Sequence, residues 1–238
     1  MPLEIGLLTF PKVQQLDLTA PYEVFAGIPD ARVHLVAAGL DPVTSATGLV
    51  LTPTTRMAEC PRLDVLCVPG GAGVNALMRD EAVLAFVRAQ GAQARYLTSV
   101  CTGALVLGAA GLLRARRATT HWAALDLLCA FGAIPVAERV VRDGNLLTGG
   151  GVTAGIDFAL ALAAELAGRP AAEGIQLGLE YAPAPPFASG RPEASSPAVL
   201  AATRARLGAS RAEREAIVRA LTGATDFVPW EHPAPTLP

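Results

Sequence analysis

Short, almost wholly apolar runs recur along this chain with longer stretches of helical period between them, and that alternation restricts the fold more than any other feature. Strands that are apolar on both faces must be covered on both faces, the condition met by a mostly parallel sheet between helices. Residues 4–9, 33–37, 65–68, 95–100, 118–120 and 146–148 are read as strands. Residues 21–25, 81–92, 102–113, 122–131, 153–167 and 171–179 are read as helices, with Pro21 at a first helical position, where its missing N–H costs little. The Val/Thr content of residues 42–53 allows a short hairpin or edge strand. The expected class is α/β with a mostly parallel central sheet.

Composition narrows the function classes. Of 238 residues, 52% are hydrophobic, so burial can offset the ordering entropy and disorder is excluded. With 19 basic and 21 acidic side chains, the net charge of −2 lacks the basic excess of a phosphate-neutralising nucleic-acid binder. The most apolar run, residues 156–168, is interrupted by Asp157 and Glu165 and falls short of the roughly 20 apolar residues a membrane span needs. The N-terminus has no basic region and carries Glu4, so it reads as a first buried strand rather than a signal peptide. Cys60, Cys67, Cys101 and Cys129 show neither metal-ligand spacing nor a disulfide framework, and free thiols in a reducing cytoplasm are expected.

The domain proper is expected over residues 1–187, where a proline-rich stretch, residues 181–197, breaks the pattern. Residues 188–238 are expected to form a helical and proline-rich extension that packs on the domain or on a dimer mate. Within it, residues 198–207 and 211–221 read as two helices broken at Gly208–Ser210, and the tail from residue 225 as extended. Five arginines and two glutamates in residues 198–222 are read as a solvated helical face.

Two glycine clusters follow strands. Gly71-Ala72-Gly73-Val74-Asn75-Ala76 matches a dinucleotide-binding fingerprint, but the next strand ends in Ser99-Val100-Cys101 without the carboxylate that would hold the ribose. The cluster is instead a tight strand-to-helix turn, in which Gly70 and Gly71 can direct backbone N–H groups at a neighbouring site. Gly149-Gly150-Gly151 permits close backbone approach over the carboxyl edge of the sheet.

Cys101 differs from the other cysteines. Cys67 in a strand and Cys129 in an apolar helix read as inert core thiols, and Cys60 has no activating neighbour in sequence. Cys101 ends a strand and is followed at once by a helix, so its side chain is presented on a tight, strained turn at the sheet's carboxyl edge. The helix N-terminus behind it favours a thiolate. Three groups could serve as its partner: His121 at a strand end, Asp17 among apolar neighbours after the first strand, and Glu23 in the helix beyond.

The stretches LLTFPKVQQLDLTAPYEVFA, DVLCVPGGAGVNAL, YLTSVCTGALVLGAAGLL, RRATTHW and LLTGGGVTAGIDFALALAAELAG resemble the ThiJ/PfpI cysteine superfamily, and within it the isocyanide hydratases, from about residue 3 to Phe187. The resemblance implies a flavodoxin-like three-layer sandwich acting as a homodimer. It implies Cys101 as nucleophile, Asp17 as its acid partner, Thr102 hydrogen-bonded to that acid, and Val152 opening a helix beside the cysteine. Protease-like branches often carry His after the Cys and Glu as partner, whereas Thr102 and Asp17 stand here.

The activity expected on that basis is addition of water to a small apolar isocyanide, giving an N-substituted formamide through a covalent thioimidate. Backbone N–H groups of Gly71 and Thr102 are expected to stabilise developing charge, and Gly70, Gly150, Val152 and His121 to adjoin the pocket. No cofactor, metal, nucleic acid or membrane is expected to take part. Two other readings stay open from residues alone. One is a regulatory domain, since transcription regulators carry similar SVCTG and ATTHW stretches; the other is redox-sensing, glyoxalase-like or amidohydrolase chemistry at the same thiol.

Overall fold

The computed structural model describes residues 2–224. The elements in chain order are β1 (Leu3–Leu8), α1 (Gln15–Ala26), β2 (Ala31–Ala37), β3 (Val43–Thr44), β4 (Val50–Leu51), β5 (Thr55–Arg56) and β6 (Val65–Val68). They continue with α2 (Val74–Leu77), α3 (Glu81–Gly91), β7 (Tyr96–Val100), α4 (Gly103–Ala109), β8 (Arg117–Ala118), a 3₁₀ segment Trp122–Phe131 and β9 (Ile134–Pro135). The last are β10 (Val140–Asp143), β11 (Leu146–Gly149), α5 (Ala154–Ala167), α6 (Arg169–Gly178), a 3₁₀ turn Pro192–Ala194 and α7 (Pro197–Thr222).

Seven strands form one sheet in the order β10-β11-β7-β6-β1-β2-β5. All of its pairings are parallel except β10 with β11. β6, β7 and β11 are buried at every residue, as strands covered by helices on both faces must be. From β1 the chain first moves outward to β2, then returns through β6 to β7 and β11 on the other side. The gap beyond the carboxyl ends of β1 and β6 is therefore a topological switch point, where helices diverge and leave a crevice.

Several expectations are corrected. The first helix begins at Gln15, so Pro21 lies inside it. Its ring withholds the N–H that would reach the Asp17 carbonyl, and it lies against α5, where a Cβ at Gly155 would stand 3.2 Å from Pro21 Cδ. The strand expected at 118–120 is a two-residue piece, β8, which pairs with β9 in a separate small sheet. The helix after Cys101 ends at Ala109, short of 113, near Gly111 in the left-handed region at φ 79°. The hairpin in 42–53 forms as β3 and β4. Cys129 is exposed rather than a core thiol.

The largest correction is α7, a single helix of 26 residues where a break at Gly208 was expected. Pro197 opens it, the Ser196 hydroxyl accepts from the Val199 N–H, and Gly223 at φ 71° closes it. One mid-helix glycine costs only about 1 kcal/mol, which docking outweighs. Arg214, Ile217 and Val218 are buried along one stripe of α7. The Arg211 guanidinium grips both carboxylate oxygens of Asp126 at 2.6 and 2.5 Å. At least two of the five arginines thus face the protein, because their position in the helical period matches the apolar residues beside them. The expected extended tail from residue 225 lies outside the described residues.

Candidate active site

Three loops at the carboxyl edge of the sheet converge at the switch point. The β1–α1 loop and the β6–α2 loop are tied by a bridge between Val13 and Gly71 and by the Gln14 N–H donating to the Gly70 carbonyl at 2.8 Å. The third is not a loop at all: β7 runs into α4 through Cys101 and Thr102 alone. Cys101 is forced to φ 53°, a left-handed conformation that a non-glycine residue adopts at a cost. Gly103 makes the turn possible, because a Cβ there would overlap the Val68 carbonyl oxygen. The Cys101 N–H donates to the Gly149 carbonyl at 3.1 Å, and its carbonyl accepts from the Thr120 hydroxyl at 2.6 Å. The elbow is fixed on both sides.

Asp17 sits in the first turn of α1 and is wholly buried. The Gly70 N–H donates to its Oδ2 at 3.0 Å. Its Oδ1 is buried without a hydrogen-bond partner of good geometry, and the side chain that interacts with the carboxyl is the Cys101 thiol. Burial pushes the Asp17 carboxyl up to about 7, against the opposing pull of the thiol and of the Gly70 N–H. Burial also pushes the Cys101 thiol well above its ordinary value, and the nearby Asp17 charge adds to that, while the Thr102 N–H favours the anion. Two raised groups facing one another in an apolar setting hold one proton less readily than two, so the pair titrates as a unit.

Gly70 is where the pair is assembled. A Cβ there would stand 2.5 Å from the Thr102 nitrogen and 2.8 Å from Asp17 Oδ2, so only glycine lets the backbone pass between acid and elbow. Thr102 does not act as the resemblance implied: its hydroxyl accepts from the Gly71 N–H at 3.0 Å and faces the Gly71 carbonyl at 3.4 Å, rather than bonding Asp17. The Gly71 N–H is therefore already engaged, which leaves the Thr102 N–H as the backbone donor facing the sulfur.

A cavity of about 260 Å³ adjoins the elbow, lined in part by Thr120, His121, Gly150, Val152, Arg139 and Arg191. Gly150, Val152 and His121 line this one cavity, whereas Gly70 is not among its lining residues and lies between Asp17 and Thr102. Cys101 does not line this space itself; Thr120 and the 149–152 turn connect the two. His121 is no base for the thiol. Its Nδ1 accepts from the Ala123 N–H at 3.2 Å, and burial, reinforced by Arg214, lowers it to about 4, so the ring is neutral near pH 7. Glu23 is exposed and plays no part.

Composition and spacing did not single out Asn75 or Arg214. Arg214 on α7 is 7% exposed and reaches back to Asn75, just beyond the glycine turn, its Nε donating to Asn75 Oδ1 at 3.2 Å. The available signal was its register with Ile217 and Val218, three and four residues on.

With this geometry in place, the sequence profile of the DJ-1/PfpI family matches residues 4–165. The chain belongs to the DJ-1/PfpI family. It is 65% identical over 210 residues to the isonitrile hydratase of Pseudomonas putida, covering 88% of this chain and 92% of that one. Its fold superposes on a solved ThiJ/PfpI family protein from Pseudomonas syringae with a TM-score of 0.89 at 44% identity, covering 92% of this chain and 91% of that chain. It is also 31% identical over 176 residues to the transcriptional regulator GbdR of Pseudomonas aeruginosa, covering 71% of this chain but 48% of the regulator. The family match agrees with the mostly parallel sheet and elbow described above. Among the described residues no helix is long and apolar enough to cross a membrane, and no group of three or more His, Cys, Asp or Glu could hold a metal ion.

Proposed function

We propose that this protein hydrates isocyanides to N-substituted formamides, with Cys101 as nucleophile and Asp17 as general acid and base. The observation that carries the reading is the isolated couple of Cys101 and Asp17: a thiol on a strained elbow facing a carboxyl that is half protonated near pH 7, with no histidine base between them. The 65% identity to an isonitrile (isocyanide) hydratase over most of both chains supports it.

The chemistry follows from the couple. The sulfur attacks the terminal carbon of R–N≡C, forming the S–C bond, while the Asp17 proton passes to that carbon; the product is a thioimidate, R–N=CH–S. Asp17, now a carboxylate, takes a proton from water as the hydroxide adds to the same carbon and passes it to the nitrogen, giving R–NH–CH(OH)–S with Asp17 again a carboxylate. Collapse breaks the C–S bond as the hydroxyl proton passes to Asp17, which releases R–NH–CHO and returns thiolate and carboxylic acid with one proton between them. An isocyanide is neutral, so the one free backbone donor at Thr102 suffices where an amide would need a fuller oxyanion hole.

A homodimer and a cytoplasmic setting belong to the same proposal. Leu177 and Phe187, 81% and 79% exposed, are apolar side chains that a partner subunit would cover, and light scattering tests it. The decisive experiment follows formamide production from an aryl isocyanide by ultraviolet absorbance, with Cys101→Ala and Asp17→Asn as controls. Turnover by the wild type and loss in both variants supports the reading; a wild-type rate from Cys101→Ala overturns it.

A further inference from the structure

One charge in the site is not used by the mechanism above. Arg214 is buried at 7% exposure, and no carboxylate lies within ion-pair distance of it among the described residues. Its named hydrogen bonds go to neutral groups, Asn75 Oδ1 at 3.2 Å and Ser210 Oγ at 3.3 Å. Neighbouring arginines are treated differently: Arg211 is clamped on Asp126 and stands near Glu215, and Arg219 bonds Glu215. Glu213, beside Arg214 in sequence, accepts from Asn75 Nδ2 at 2.9 Å instead of pairing with the guanidinium. A buried cation is costly unless an anion lies nearby.

Two anions act on Arg214 through space, the Cys101 thiolate more strongly and the Glu213 carboxylate less so, and the position of Arg214 explains the first. Asn75 ties it to the segment that follows Gly70 and Gly71, the residues bonded to Asp17 and Thr102. On its other side, Arg211 one turn earlier donates to the Ala123 carbonyl, just past Thr120 and His121, and Thr120 holds the Cys101 carbonyl. Helix α7 is thus anchored, through Arg214 and Arg211, on both segments that frame the elbow. The charged groups acting on the thiol are Asp17 from α1 and Arg214 from α7. Arg214 acts electrostatically on Cys101 and His121, whereas the influences on Asp17 are burial, the thiol and the Gly70 N–H.

We propose that Arg214 is the positioning charge of this site: delivered by the C-terminal helix, it draws the couple's single negative charge onto the Cys101 sulfur and so leaves the shared proton on Asp17. This rests on the reading of Cys101 and Asp17 as one proton-sharing couple. It also gives α7 a function, because the tautomer it favours, thiolate plus carboxylic acid, is the one needed for attack and for protonation of the isocyano carbon. A helix far along the chain then completes a site otherwise built from three sheet-edge loops.

The test uses the full-length protein and iodoacetamide, which reports the thiolate without any isocyanide. The rate of Cys101 alkylation is followed against pH by peptide mass, which separates it from the exposed Cys129. Arg214→Met removes the charge and Arg214→Lys keeps it; thermal melting confirms folding, and Arg214→Gln replaces the Met variant if that does not fold. The expected result is an alkylation midpoint about one pH unit higher in Arg214→Met, with about tenfold slower alkylation at pH 7, and rescue of most of that loss by Arg214→Lys. An unshifted midpoint in a folded, uncharged variant overturns the proposal, as does an equal shift in the Lys variant. Isocyanide turnover by the wild type is measured beside it, so a failure of the hydratase reading is seen separately from a failure of the electrostatic one.

Discussion

At the scale of single residues, the site depends on atoms that are missing as much as on those present. Gly70 has an ordinary backbone conformation, but a methyl group there would stand 2.5 Å from the Thr102 backbone nitrogen and 2.8 Å from Asp17 Oδ2, so the elbow or the acid must shift to admit it. The expected outcome of Gly70→Ala is a fall in kcat of about a hundredfold with a loss of about 1–3 kcal/mol in stability, since a displacement of the order of 1 Å in a catalytic group costs about that much in rate and overpacking about that much in stability. Steady-state kinetics beside a thermal melt would check it; unchanged kcat would mean that the acid is not held against this backbone. Cys101 was legible in the sequence because a strand and a helix abut there without a spacer. The partner was legible only through the family resemblance: position along the chain favoured the carboxylates Asp17 and Glu23 over His121 without choosing between them, and burial separates all three, by leaving His121 neutral, Glu23 in solvent and Asp17 half protonated near pH 7.

At the scale of elements, five of the seven strands of the sheet were read to within a few residues because their apolar runs are short and bounded, whereas the edge strands β5 and β10, which carry polar and charged residues, were not read. The errors fall where tertiary contacts override local preference. Pro21 suggested a helix start, but α1 begins a turn and a half earlier, at Gln15, where the preceding loop is pinned by the bridge from Val13 to Gly71. Gly208 suggested a helix end, yet α7 continues because Arg211, Arg214, Ile217 and Val218 beyond it are anchored on the domain. Two predictions separate local from tertiary terms in α7. Gly208 is exposed with open space around its Cα, so Gly208→Ala is expected to raise stability by about 0.5–1 kcal/mol. Ile217 is 1% exposed in the main core, so Ile217→Ala is expected to lower it by about 2–4 kcal/mol. Urea denaturation measures both, and a neutral Ile217→Ala would show that α7 does not share the domain's cooperative unit.

At the scale of the whole molecule, the two shifted groups beside the elbow act on stability in opposite directions. An unfolded chain binds a proton at His121 below about pH 6.5, while the folded protein does so only near 4. In that window unfolding takes up a proton, so stability rises with pH by about 1.4 kcal/mol per unit and is lost as the solution is acidified. Asp17 is the reverse: ionised above about 3.8 when unfolded and above about 7 when folded. Between those values unfolding releases a proton, and stability falls with rising pH by a similar slope. From about pH 4 to 6.5 the two contributions cancel, although neither group touches the other in any hydrogen bond of the site. Removing either should expose its counterpart. Asp17→Asn is expected to gain stability relative to the wild type as pH rises from 4.5 to 6.5, by about 2–3 kcal/mol across that range. His121→Gln is expected to lose a similar amount relative to the wild type over the same interval. Urea midpoints at pH 4.5, 5.5 and 6.5 for the three proteins would measure it, other titrating groups dropping out of the differences. Curves that run parallel for Asp17→Asn and the wild type would mean that Asp17 is ionised in the folded state throughout, and the proton required for attack on an isocyanide would then have to come from elsewhere.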